Sequence, residues 1–186
     1  MIPQEMRHKY LEDIYKDAGD EFDQIYTDGS SNPVNGRAGA PYTVITNNAF
    51  QRRNEKKART EKYASSTQAE LTAIVNALRV LERNTNGAVI CTDSKAALQS
   101  PSNNREENPA IIAEIKRAMR VLTNQGRVLK FLWILSGICG NERADVLAAE
   151  GAEGDHIEYF IPKTHPWRLT RTSPVTSCSL PQVWHP

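Results

Sequence analysis

From Phe22 the chain runs through Phe22-Asp23-Gln24-Ile25-Tyr26-Thr27, a short stretch of β-favouring residues, and then into the turn-forming Asp28-Gly29-Ser30-Ser31-Asn32-Pro33, which predicts a first strand followed by a turn. Pro41-Tyr42-Thr43-Val44-Ile45-Thr46 predicts a second strand, and residues 49–58 hairpin back as a third. Over 67–83 the pattern changes period: Leu71, Ile74, Val75, Leu78 and Leu81 fall at helical spacing, and Thr67-Gln68-Ala69-Glu70 has the form of a capping box. Ala88-Val89-Ile90-Cys91-Thr92 is a continuous apolar run, as expected of a strand buried on both faces. Asp93-Ser94 caps a short helix, and Asn108 before Pro109 starts a longer one, with Ile111, Ile112, Ile115, Met119 and Leu122 as its apolar stripe. Val128 to Leu135 is a fifth strand, and Asn141 opens a last helix that carries Ala144, Leu147 and Ala148 on one face.

Hairpins join the early strands, whereas helical crossovers join the later ones, so the order predicts an α/β domain with a five-stranded mixed sheet. Strands one to three are antiparallel, strands four and five run parallel to the first, and helices cover both faces. The domain spans 22–154. Residues 1–21, with Tyr10, Leu11, Ile14 and Tyr15, form a short entering helix or linker, and 155–186 form a poorly ordered tail, since 162–186 carries five prolines and no periodicity.

With 186 residues, 39% of them hydrophobic and 24% charged, the chain fits one globular domain with tails. It has no apolar run of bilayer length and no signal-peptide pattern at its start, which predicts an intracellular protein, nuclear or cytoplasmic, without a membrane partner. We expect a monomer. Cysteines at 91, 139 and 178 suit reduced thiols better than a disulfide set or a zinc site. The net charge of +1 predicts no strong overall attraction to phosphates. Locally, Arg52, Arg53, Lys56, Lys57, Arg59 and Lys62 are opposed by Glu55 and Glu61. That stretch reads either as a phosphate-facing patch or as an edge strand guarded by charge.

Four acids stand out by their order. Asp28 follows strand one, Glu70 borders the apolar stripe of the first long helix, Asp93 follows strand four, and Asp145 lies in the first turns of the last helix. Each has an ordinary explanation: a turn pair with Gly29, a capping-box partner, an N-cap and a surface helix residue, respectively. As a set they predict convergence at one rim of the sheet. Carboxylates gathered there repel one another and must take up protons or cations. Oxygen-only ligands favour Mg²⁺ or Mn²⁺, and two such ions roughly 3.5–4 Å apart suit in-line phosphodiester hydrolysis.

The blocks Tyr26-Thr27-Asp28-Gly29-Ser30, Ser66-Thr67-Gln68-Ala69-Glu70-Leu71, Cys91-Thr92-Asp93-Ser94 and Gly140-Asn141-Glu142-Arg143-Ala144-Asp145-Val146-Leu147-Ala148 resemble the four motif blocks of type 1 ribonuclease H. In wording they look closest to the ribonuclease H domains that non-LTR retrotransposon polyproteins carry beside a reverse transcriptase, over about residues 24–150. The resemblance implies a ribonuclease H-like fold. It implies endonucleolytic cutting of the RNA strand of an RNA–DNA hybrid, with 5′-phosphate and 3′-hydroxyl ends, and a reverse transcriptase domain as partner. Asp28, Glu70, Asp93 and Asp145 would be the catalytic residues and would hold two Mg²⁺ ions, Asp28 bridging, with Mn²⁺ as substitute. Gly29, Ser30, Gln68 and Asn141 would contact the substrate. Gln68 would reach the groove in which 2′-hydroxyls mark the RNA strand; its other reading is a polar first-turn residue.

One block departs from the family. Relatives usually read Trp-x-Pro-Ser-His-x-Gly-Ile-x-Gly-Asn-Glu, where this chain has Trp133-Ile134-Leu135-Ser136-Gly137-Ile138-Cys139-Gly140-Asn141-Glu142. The histidine thought to assist proton transfer or product departure is missing, which predicts reduced activity by about 10²–10⁴-fold at most. The alternative is a degenerate module that binds nucleic acid or a polymerase partner without cutting.

Overall fold

The computed structural model describes residues 22–32, 34–45, 52–81, 87–100 and 108–154, and of residues 44, 45 and 52–54 the backbone. The segments expected at 1–21 and 155–186 lie outside the described residues.

Five strands form the main sheet: β1 (Asp23–Thr27), β4 (Tyr42–Ile45), β5 (Arg52–Lys56), β6 (Gly87–Thr92) and β7 (Val128–Trp133). Their order is β5-β4-β1-β6-β7. β4 runs antiparallel to β1 and to β5, while β6 is parallel to β1 and β7 parallel to β6. This is the mixed sheet that the hairpin and crossover signals predict. The turn expected over 28–33 is shorter than anticipated, because Ser30–Asn32 (β2) and Arg37–Gly39 (β3) pair as a separate antiparallel hairpin. The fifth sheet strand also stops at Trp133 instead of Leu135.

Among the described residues, four helices pack against this frame: α1 (Ser66–Leu81), α2 (Lys95–Gln99), α3 (Pro109–Asn124) and α4 (Cys139–Glu153). On one side of the sheet, Ile25 and Ile90 meet Leu71, Ile74, Val75 and Leu78 of α1 and Ile111, Ile115 and Leu122 of α3 in one buried cluster. Full burial stabilises each such side chain by about 1.5–3 kcal/mol, so this face supplies most of the fold's driving force. The neighbouring positions Tyr26, Val89 and Cys91 point the other way and pack with Ile134, Ile138 and Ala144. Helices therefore cover both faces, as the alternation of strand side chains requires. Burial pushes the Cys91 thiol up to about 12, whereas Cys139 is exposed.

Helix starts differ in detail from expectation. The capping box lies two residues earlier than Thr67 and Glu70: Ser65 Oγ accepts from the Gln68 N–H at 3.2 Å, and Gln68 Oε1 accepts from the Ser65 N–H at 2.8 Å. Ser94 caps α2, its Oγ accepting from the Ala97 N–H. Asn108 does precede α3, but with a left-handed backbone (φ 63°) and no side-chain cap, so Pro109 alone sets that start. The last helix begins at Cys139, ahead of Asn141, and Glu142 reaches back to the Gly137 N–H at 2.6 Å.

α4 buries Leu147 within a face otherwise made of the small residues Ala144, Ala148, Gly151 and Ala152. Its approach is close: a β-carbon on Gly39 would lie 2.1 Å from the Ala148 carbonyl oxygen, and one on Gly151 would lie 2.8 Å from that of Ala58. With little apolar area to bury, the helix is also fastened by polar contacts along one flank. Arg143 pairs with Glu55, Glu150 with Lys57 at 2.7 Å, and Glu153 with Arg37, while the Arg59 guanidinium donates to the Gly154 carbonyl at 2.9 Å. Of the two readings of the basic stretch, its described side chains fit the edge strand: β5 is an edge, Lys57 and Arg59 turn to α4, and Lys62 lies over the Tyr63 ring. No helix among the described residues is long and apolar enough to cross a membrane.

Candidate functional site

β1 and β6 are parallel neighbours in register at Tyr26↔Cys91, so Asp28 and Asp93 each sit two residues beyond the same pair. A threonine precedes each acid, Thr27 and Thr92, both fully buried. From the facing side, α1 presents Glu70. Its helix can approach because residue 29 is glycine: a β-carbon there would fall 2.2 Å from the Glu70 backbone nitrogen. One carboxylate oxygen from each of Asp28, Glu70 and Asp93 then lies within 4.8 Å of the others. Asp28 and Glu70 are buried, at 8% and 7% exposure, and Asp93 is half-buried. The shift of the capping box to Ser65 and Gln68 has a consequence here, since it leaves Glu70 out of the cap.

Asp145 is exposed, in the second turn of α4, and stands outside the three-acid group. Its charge nevertheless bears on the group. The Asp28 carboxyl is pushed up to about 6, first by burial and then by the charges of Asp93 and Asp145, against the opposing pull of the Gly29 N–H. Glu70 is pushed up further, to about 9, by burial and then by Asp28 and Asp93; the Gly29 N–H and the Thr92 hydroxyl offset part of this. Raised acids gathered at one point mark a place where negative charge is unpaid for by protein cations.

The remaining expected residues differ in their settings. Gly29 serves the acids through its N–H and through the close helix approach. Ser30 begins β2 and is half-buried. Gln68 is half-buried, with Oε1 engaged by the Ser65 N–H. Asn141, expected at the substrate, is turned inward at 2% exposure and donates Nδ2–H to Asp93 Oδ2 at 3.0 Å. Two further contributors stand beside the acids. Trp133 donates its indole N–H to the Asp93 main-chain carbonyl at 3.0 Å, and the Thr92 hydroxyl offsets part of the rise at Glu70. The repeated Thr-Asp ending of β1 and β6 was the available signal for Thr92.

The donor set fits a hard divalent cation. All three groups offer oxygen, and Glu70 Oε2 is buried without a hydrogen-bond partner, a cost that a ligand at that oxygen would relieve.

A sequence profile of the family described as RNase H matches residues 21–153. No curated protein matches the chain. Among solved structures, the chain resembles RNase H1 from the halophilic archaeon Halobacterium salinarum, with 23% identity over 69% of this chain and 96% of that one and a TM-score of 0.58. It also resembles the N-terminal RNase H domain of a Mycobacterium tuberculosis protein, with 20% identity, 70% and 98% coverage and a TM-score of 0.59. A third likeness is to LC11-RNase H1, isolated from compost, with 22% identity, 71% and 96% coverage and a TM-score of 0.59. At these identities the structures share the fold.

Proposed function

This chain belongs to the RNase H family, and we propose that it hydrolyses the RNA strand of RNA–DNA hybrids at internal positions, with two bound divalent cations, leaving 5′-phosphate and 3′-hydroxyl ends. The observation that carries this reading is the convergence of Asp28, Glu70 and Asp93 within 4.8 Å. When bound, Mg²⁺, or Mn²⁺ in its place, supplies the polarisation that activates a water and neutralises charge on the leaving oxygen.

The chain's own part is to hold and orient. Asp28 would be the shared ligand: burial and then the charges of Asp93 and Asp145 raise it, and its own charge adds to the burial that raises Glu70. Glu70 and Asp93 would complete the inner set, and Asp145, which stands outside it, would join as a fourth ligand. Gly29, Ser30 and Gln68 meet the hybrid, Gln68 at the 2′-hydroxyls that distinguish RNA. The loop Ser136–Cys139 carries no histidine, so proton transfer to the leaving oxygen falls to solvent, and the rate falls below that of a histidine-bearing relative by up to about 10⁴-fold. The wording of the four blocks further supports an origin beside a reverse transcriptase in a non-LTR retrotransposon polyprotein, with a monomeric domain working in the nucleus or cytoplasm.

The test is a labelled RNA strand annealed to DNA and incubated with Mg²⁺, Mn²⁺ or chelator, beside an Asp28→Asn variant. Metal-dependent cutting of the RNA, absent in the variant, is expected. Hybrid binding without cutting under every metal condition would assign the chain to the non-cleaving alternative, which the exposed, outlying position of Asp145 favours.

A further inference from the structure

Asp93 is gripped from two elements. Trp133, the last residue of β7, donates to its main-chain carbonyl, and Asn141, near the start of α4, donates to Oδ2 of its carboxylate, each at 3.0 Å. The amide end facing Asp93 is Nδ2, the one end of this side chain that can donate. The other end of Asn141 makes no such contact: Oδ1 is buried and without a hydrogen-bond partner among the described residues. An apolar side chain of the same size would fill this place without orphaning an acceptor. The amide therefore serves Asp93 Oδ2 at the expense of the helix packing around it, and at 2% exposure it offers no face to a substrate.

We infer that Asn141 is a positioning residue for Asp93. The terminal torsion of a carboxylate is soft, and a charge-assisted hydrogen bond to one oxygen fixes it. With Oδ2 held by Asn141 and the backbone held by Trp133, the Asp93 carboxylate keeps the rotation that brings one of its oxygens into the group with Asp28 and Glu70. The inference rests on the reading that these acids hold divalent cations, and partners of this kind alter metal affinity by about 10–100-fold.

The experiment titrates Mn²⁺ into the purified chain without hybrid, following free Mn²⁺ by electron paramagnetic resonance, for the native sequence, Asn141→Leu, Asn141→Ala and Asp28→Asn. Melting temperatures in chelator are recorded for each. Asn141→Leu should melt at or above the native protein while its Mn²⁺ affinity drops about 10–100-fold. Asn141→Ala should show the same affinity loss with a lower melting temperature. At saturating metal, KM for the hybrid should not change. Native Mn²⁺ affinity in both Asn141 variants overturns the inference, and a raised KM beside that native affinity returns Asn141 to the substrate. Affinity lost only in a variant that also loses melting temperature reduces Asn141 to a packing residue and overturns it too. A native chain that takes up no more Mn²⁺ than Asp28→Asn sinks the cation reading itself.

Discussion

The guanidinium of Arg143 closes on the carboxylate of Glu55 as a fork, with Nε 3.1 Å from both oxygens and Nη2 2.6 Å from Oε2. Bidentate geometry of this kind fixes direction as well as distance. It ties α4 to the edge strand β5 two residues before Asp145.

Breaking that fork should therefore act on the reaction through Asp145. Arg143→Ala is expected to lower kcat, by up to about 100-fold where the displacement reaches an ångström, with a smaller change in KM. Exchanging the charges, Arg143→Glu with Glu55→Arg, should recover part of the loss. Steady-state cleavage of a defined hybrid measures both; a fall confined to KM, or no recovery in the exchange, would refute the link.

Metal and pH should interact in a fixed sense. Asp28 is raised to about 6 and Glu70 to about 9, while in the unfolded chain both titrate near their ordinary values of about 4. The metal-free fold thus holds its full advantage below pH ~4 and loses it as pH rises through 6 and then 9, where buried charges must form. Cations compensate those charges. Thermal melts should show a stabilisation by Mg²⁺ that is small at pH 5 and widens towards pH 9, and calorimetry in buffers of different ionisation heat should register proton release on binding at pH 7. Equal Mg²⁺ stabilisation at both ends of the range would contradict this.

Gly29→Ala should damage fold and site together. The new methyl would meet backbone atoms of Ala69 and Glu70 at 2.2–2.6 Å, and neither the end of β1 nor the first turns of α1 can move without separating Asp28 from Glu70. Overpacking of this kind costs about 1–3 kcal/mol. Urea unfolding should show that loss, and Mn²⁺ affinity should fall with it; native values of both would mean the approach is looser than described.

Ser65 and Gln68 can be separated by function. Ser65→Ala removes a cap and should cost about 1 kcal/mol of stability while leaving KM for the hybrid unchanged. Gln68→Ala loses the reciprocal cap contact and, if Gln68 meets the substrate, also raises KM. Matching KM values for the two variants would confine Gln68 to capping.

Much of this frame is readable from local pattern. The apolar run Ala88–Thr92 reports a central strand because burial on both faces leaves no polar position, and the 3.6-residue spacing of Leu71 to Leu81 reports α1 because one stripe must face the sheet. The three inner acids follow from that frame, since strand ends and the facing helix are fixed by it. Other features depend on partners far along the chain. Ser30-Ser31-Asn32 has the composition of a turn, and it pairs as β2 in a hairpin whose Gly39 lies against Ala148 on α4. Ser65-x-x-Gln68 and Thr67-x-x-Glu70 are overlapping capping patterns, and choosing between them requires knowing that Glu70 faces Asp28. The role of Lys57 and Arg59 depends on Glu150 and Gly154, roughly a hundred residues later, so no window on the basic stretch could have revealed it. Asn141 shows the same limit: its motif marks a functional block, but its inward orientation is a property of the packed helix.

The three inner acids are anchored to β1, β6 and α1, which share the large apolar cluster, whereas Asp145 rides on a helix held mainly by small residues and ion pairs. The two halves of the centre should accordingly fail in sequence. Under mild heating or concentrated salt, which weakens exposed ion pairs first, α4 should loosen while the sheet stays intact, giving a species that still captures a divalent ion yet no longer turns over, and that regains activity when the conditions are reversed.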